Sequence, residues 1–80
     1  MLKIYAILDS KAAAFGNPFY MRSIGEAVRA FNDEAKKENS MVKNYPEDFT
    51  LFELGDYDQV TGIIKPLQAP KSIGNAVSLQ

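Results

Sequence analysis

A capping box marks the start of one amphipathic helix, and that helix constrains the fold more than any other feature. Ser23 has the side chain of a helix N-cap, and Glu26 follows three residues later. Each side chain is therefore predicted to accept a hydrogen bond from the other residue's backbone N–H. The spacing predicts a helix from Ile24 to Glu38 whose apolar stripe needs a sheet to pack against. The stripe consists of Ile24, Ala27, Val28, Phe31 and Ala35.

The N-terminal segment Leu2–Leu8 alternates in the way a β-strand does. Phe19–Arg22 is expected to form a short edge strand, because Pro18 is tolerated only at the start or the edge of a strand. Within Leu2–Leu8 we expect one alternate set of residues to face the core and the other set to face outward. The expected core set is Leu2, Ile4, Ala6 and Leu8, and the expected outer set is Lys3, Tyr5 and Ile7.

Two later segments, Phe49–Leu54 and Gly62–Leu67, are also predicted to be strands. The turn between them is predicted to be capped by Asp58, with Gly62 in the left-handed region. The pattern as a whole predicts an α+β fold. A small antiparallel sheet of three or four strands carries one main amphipathic helix packed on one face. The single domain is expected to cover residues 1–67, and residues 68–80 are expected to form a C-terminal tail with one short helical turn near Ser72.

Composition excludes several classes of function. The chain has neither histidine nor cysteine, so Ser/His and Cys/His triads, thiolate zinc sites and disulfides are excluded. We therefore expect a protein that is not an enzyme, with no cofactor and no metal site. No apolar run approaches the length of a membrane span. With 80 residues the chain buries only a small core, so we expect it to gain stability by forming a homo-oligomer, with a homodimer the simplest case.

Aromatic residues interleaved with basic residues are the remaining chemical signal. Rings that stack on unpaired bases, beside cations that contact phosphates, are what binding to single-stranded nucleic acid requires. The alternative for each ring is that it packs in the core, with the lysines solvated. The candidate nucleic-acid-binding residues are Lys3, Tyr5, Lys11, Phe15, Tyr20, Arg22, Tyr57 and Lys65.

The order and spacing of several short motifs, over roughly residues 3 to 70, resemble a known family. The motifs that carry the resemblance are Asp9-Ser10-Lys11, Pro18-Phe19, Gly25 to Phe31, Pro46 to Phe49, Leu54-Gly55, and Asp58 with Thr61-Gly62. In these motifs the chain resembles the small non-structural protein of gokushoviruses, which are single-stranded DNA phages of the Microviridae.

The resemblance implies an early protein of the host cytoplasm that acts in single-stranded DNA replication or packaging, either by binding single-stranded DNA or by switching synthesis from duplex to packaged single strands. The net charge of −1 favours a different class of function, because strong nucleic-acid binders normally carry a basic excess. In that alternative the chain is a protein–protein adaptor that docks on a phage or host replication or assembly protein without contacting DNA.

Overall fold

The computed structural model describes residues 1–79. A short 3-10 turn, Pro46–Asp48, precedes the fourth strand. The strands and helices follow one another as β1 (Leu2–Asp9), β2 (Ala14–Phe15), β3 (Phe19–Met21), α1 (Ile24–Lys36), α2 (Met41–Asn44), β4 (Phe49–Tyr57), β5 (Ile64–Asn75) and α3 (Ala76–Leu79).

The strands form one antiparallel sheet in the order β2-β1-β4-β5, with β3 paired to the same edge of β1 as β2. Strand β1 is therefore central, with the two short strands on one side and β4 on the other. The predicted α+β class with an antiparallel sheet is confirmed. The sheet has five strands rather than three or four, and the short helices α2 and α3 accompany the main helix.

Helix α1 begins where the capping box predicts. The Ser23 hydroxyl accepts a hydrogen bond from the Glu26 backbone N–H at 3.2 Å. The return bond differs from the prediction, because the Glu26 carboxylate accepts from the backbone N–H of Arg22, at 3.0 Å, rather than from that of Ser23. The helix ends at Lys36, two residues before the predicted end.

The core lies between α1 and one face of the sheet. Ala27, Phe31 and Ala35 of α1 pack in one buried cluster with Tyr5 and Leu51 of the two central strands. Val28 is only partly buried against this cluster, and Ile24 is 40% exposed, so the stripe is narrower than predicted.

The predicted orientation of β1 is wrong. Tyr5, expected to face outward, is fully buried beneath α1, and Ile7 packs against the same cluster. Ile4 and Ala6, which were expected to face the helix, are buried on the opposite face of the sheet. Residues of β1 alternate between the two faces as predicted, but helix α1 covers the set that was expected to face outward.

The segment that was expected to be a tail is an integral part of the sheet. Strand β5 continues past Leu67 to Asn75, and its final residues pair with the start of β4. Pro66 and Pro70 are accommodated because β5 is an edge strand, with register shifts against β4. The short helix after it begins at Ala76, four residues beyond the predicted turn, and Ala76 is fully buried in the core.

The turn between β4 and β5 forms as predicted. The Asp58 carboxylate accepts hydrogen bonds from the backbone N–H groups of Val60 and Thr61, and Gly62 has a φ of 76°. Asp9 has the same role in the turn between β1 and β2, where its carboxylate accepts from Lys11 N–H at 3.0 Å. These two turns set the register of both hairpins.

Candidate functional site

One face of the sheet has no helix packed on it within residues 1–79, and we call it the open face. Residues paired directly across antiparallel strands share a face, so the register defines its members starting from Ala6, which pairs with Phe52. The helices pack on the opposite set, which contains Tyr5 and Leu51. The open face consists of Leu2, Ile4, Ala6, Leu8, Phe15, Tyr20, Thr50, Phe52, Gly55, Tyr57, Ile64, Pro66, Ser72 and Asn75.

Two aromatic pairs span β1 on the open face. Phe15 of β2 meets Phe52 of β4 edge to face, with ring centroids 5.3 Å apart and an interplanar angle of 78°. Tyr20 of β3 meets Tyr57 of β4 in the same manner, at 5.6 Å and 64°. Edge-to-face contact is a favoured geometry for aromatic rings, so each pair fixes the orientation of its two rings relative to each other.

The aromatic pairs explain why Ile4 and Ala6 are buried without a helix above them. Tyr20 pairs directly with Ile4, and Phe52 pairs directly with Ala6, so the rings lie over these small and aliphatic side chains. Tyr20 and Phe15 nevertheless keep 42% and 43% of their surface exposed. The open face is therefore a shallow aromatic platform that is accessible from one side.

None of the basic residues of the candidate set lies on the open face, and the register places Lys3 and Lys65 on the opposite face of the sheet. Lys11, in the turn before Phe15, and Lys65, next to Ile64, make no ion pair within residues 1–79. The register places Lys65 opposite Asp56, on the alternate face from Tyr57. Lys11 is thus a cation beside the open face with no ion-pair partner within the described residues, whereas Lys65 lies on the opposite face of the sheet.

Arg22 and Lys3 each form ion pairs with acidic side chains. The Arg22 guanidinium donates to the Glu26 carboxylate at 2.7 Å, which raises the pKa of Arg22 and lowers the pKa of Glu26 below its usual value. Lys3 Nζ lies 3.4 Å from Asp56 and 3.8 Å from Glu53. Both basic residues would have to exchange a carboxylate partner for a phosphate.

Tyr5 cannot contribute a ring to the open face, because it is fully buried and stacks on Phe19 inside the core, with centroids 6.0 Å apart. Its hydroxyl has no hydrogen-bond partner among the described residues. Burial, together with the nearby carboxylates of Glu53 and Asp56, raises the pKa of the Tyr5 phenol above its ordinary value. The structure thus brings Phe15, Tyr20 and Tyr57 together and separates Tyr5 from them.

Sequence reasoning missed Phe52, the ring that completes the first aromatic pair. The sequence does contain the signal. Neighbouring residues of a strand face opposite sides of the sheet, so Phe52 lies on the face opposite to that of Leu51 and Glu53.

In residues 1–79 no cluster of acidic side chains is suited to hold a metal ion. Within the same residues, no helix has the length and apolar character needed to cross a bilayer.

Comparison with known families identifies the group of proteins to which the chain is related. The family model described as "Phage ORF5 protein" matches residues 2–79, which is nearly the whole chain. The chain belongs to the Phage ORF5 protein family. The match includes β5 and α3, so the C-terminal segment is part of what defines a Phage ORF5 protein. No curated protein and no solved structure matches the chain.

Proposed function

We propose that this Phage ORF5 protein is a non-structural protein of a gokushovirus, in the Microviridae, that acts in single-stranded DNA replication or packaging by binding single-stranded DNA. The single observation that supports this function is the pair of aromatic contacts on the open face. Tyr20 and Phe15 are each more than two-fifths exposed there. Exposed rings on a sheet are a recurring platform for unpaired bases.

The chemistry of the platform selects single strands over duplex. A base can stack on Tyr20 or Phe15 only when it is not already stacked and paired within a helix. The open face presents rings but no carboxylate, since every member of the set is uncharged. Phosphates would be contacted beside the open face by Lys11. The site therefore gains most of its affinity from stacking and less from charge.

We further propose that the protein works without a catalytic step, a cofactor or a metal, in the host cytoplasm, where phage DNA is copied. It occurs as a homo-oligomer and has no contact with a membrane.

A titration of labelled oligonucleotides across a salt series tests the function. Single strands are expected to bind more tightly than a duplex of the same sequence. The dependence on salt is expected to be shallow, because only a few phosphates are neutralised. Replacing Lys11 by alanine is expected to weaken all sequences alike and to reduce the salt slope by about one contact. Equal affinity for single strand and duplex, with a steep slope, would contradict stacking on the open face.

A second candidate function is favoured by the absence of charge on the open face. An uncharged aromatic surface also suits a protein partner, and the chain carries a net charge of −1. In this case the chain is an adaptor that docks on a phage or host replication or assembly protein. The titration separates the two functions, because an adaptor binds no oligonucleotide even at low salt.

A further inference from the structure

The two most exposed rings of the open face, Tyr20 and Phe15, lie along the same edge of β1. Tyr20 pairs with Ile4, and Phe15 pairs with Leu8. These pairings are four residues of β1 apart, a distance of about 13 Å at 3.3 Å per residue. The exposed rings therefore form two separate stacking positions rather than one cluster.

The second ring of each aromatic pair lies on the other side of β1 and repeats with the same spacing. Tyr57 pairs with Leu2, and Phe52 pairs with Ala6, so these rings are also four residues of β1 apart. Both contacts are edge to face, with centroid distances of 5.6 Å and 5.3 Å. Each pair therefore crosses β1 in the same arrangement, and the distance between the exposed rings follows the distance along the strand.

The surface between the two stacking positions is apolar. Ile4 and Ala6 lie there, buried beneath the rings. Neither side chain can hydrogen-bond to the edge of a base, and sequence-specific recognition of single strands depends on such bonds. Stacking tolerates any sequence, because every base has a π-face. The arrangement therefore suits a ligand with a particular spacing of bases rather than a particular sequence.

We propose that the open face binds an extended single strand of DNA that follows β1 and places two bases, with one nucleotide between them, on Tyr20 and Phe15. This inference rests on the proposed function and describes how that site holds its ligand. Bases stacked on one another rise about 3.4 Å per nucleotide, and a strand whose bases stack on protein rings instead is drawn out to roughly twice that rise. Two steps of an extended strand therefore span the distance between the rings, whereas a strand that keeps its own stack needs four. Lys11, in the turn before Phe15, is placed to contact a phosphate at that end of the strand.

Short strands of one fixed length, in which all but two nucleotides are abasic, test the spacing. The two bases are thymines, because neighbouring thymines stack only weakly on each other. All the strands carry the same phosphates, so differences in affinity report base contacts alone. NMR titration at low salt, followed on the ring protons of Tyr20 and Phe15, measures the affinities. Thymines separated by one abasic nucleotide are expected to bind at least about fivefold more tightly than adjacent thymines, which reach one ring at a time. Equal affinities, or tightest binding when three abasic nucleotides separate the thymines, would overturn the proposal.

Ring substitutions supply the second measurement. With thymines separated by one abasic nucleotide, Tyr20→Ala and Phe15→Ala are each expected to weaken binding at least about fivefold. With a single thymine, each is expected to weaken binding by about twofold at most, because the base can use the other ring. Val77→Ala is the matched control, since Val77 is 57% exposed on α3, outside the open face, and this variant is expected to bind like the parent.

The two measurements also separate this inference from the proposed function. Binding that depends on Tyr20 but not on Phe15, or on neither the spacing nor the number of thymines, would overturn the two-ring arrangement and leave DNA binding by the protein intact. No binding of any strand, including one with a thymine at every position, would overturn both.

Discussion

The rings of Tyr20 and Tyr57 meet edge to face, with centroids 5.6 Å apart, although their strands, β3 and β4, do not pair with each other. The contact crosses over β1, where the side chain of Ile4 lies. Because the rings are held by each other and by the sheet, a base stacking on Tyr20, as we propose, would not have to order a mobile side chain first. Preorganisation of this kind lowers the entropic cost of binding.

Phe31 is the central anchor of α1, with 1% of its surface exposed. Replacing it by alanine is expected to lower the free energy of unfolding by about 3–5 kcal/mol, because the change leaves a cavity in the core. Thermal or urea melts measure this loss. Ile24→Ala, at the exposed end of the same stripe, is the control and is expected to cost far less. Equal effects of the two substitutions would contradict the packing of α1.

Ser23→Ala is expected to destabilise the protein by about 1 kcal/mol, because the N–H of Glu26 loses its acceptor at the helix start. Urea denaturation measures the change. Ser23→Asp, which keeps an acceptor at the N-cap, is expected to restore most of the loss. If Ser23→Ala melts like the parent, the cap contributes nothing and the helix start is held by other contacts.

Tyr5→Phe is expected to leave stability unchanged or to raise it by about 1 kcal/mol, because the hydroxyl is buried without a partner. The pKa of the Tyr5 phenol is raised in the folded protein, so this group's contribution to stability is complete below its ordinary pKa of 10.0 and declines as pH rises above it. Tyr5→Phe is expected to remove that alkaline decline. Melts of the two proteins between neutral and alkaline pH measure both effects, and a marked loss of stability at neutral pH would reveal a hydrogen bond to the hydroxyl.

Gly55 allows β4 and β5 to approach closely. A Cβ atom at this position would lie 2.5 Å from the Lys65 carbonyl oxygen and 2.8 Å from the Pro66 Cα, so the backbone would have to move. Gly55→Ala is expected to cost about 1–3 kcal/mol through overpacking. Gly16→Ala is the control, because its nearest contact would be an ordinary 3.7 Å. Denaturation melts compare the two, and an unchanged melt for Gly55→Ala would contradict the close approach.

The parts of the fold that the sequence predicts correctly are specified by neighbouring residues. Ser23 and Glu26 mark the start of α1, and Asp58 and Gly62 mark the β4–β5 turn, since each signal acts within one turn of chain. The predicted strand ends at Leu67, just after Pro66, whereas β5 continues to Asn75. An edge strand tolerates proline, but edge position is decided by pairing with distant residues, which no local pattern contains.

The orientation of β1 could not be predicted because both of its faces are apolar. One face is covered by α1 and the other by the aromatic rings, so Tyr5 and Ile4 are both buried. Alternation identifies a strand but does not identify which set meets the helix when both sets are hydrophobic. For the same reason, the predicted nucleic-acid-binding set placed Tyr5 together with Tyr20 and Tyr57. Tyr20 and Tyr57 belong to the open face, whereas Tyr5 does not.

The most direct test of DNA binding on the open face compares two exposed tyrosines. Tyr20 is 42% exposed on the open face, and Tyr45 is 51% exposed after α2, away from it. Fluorescence anisotropy with a labelled single-stranded oligonucleotide at low salt is expected to show that Tyr20→Ala weakens binding by about 1–3 kcal/mol, the contribution of one stacked base. Tyr45→Ala is expected to bind like the parent. Equal affinities of the two variants, or no binding by the parent protein, would contradict single-stranded DNA binding on the open face.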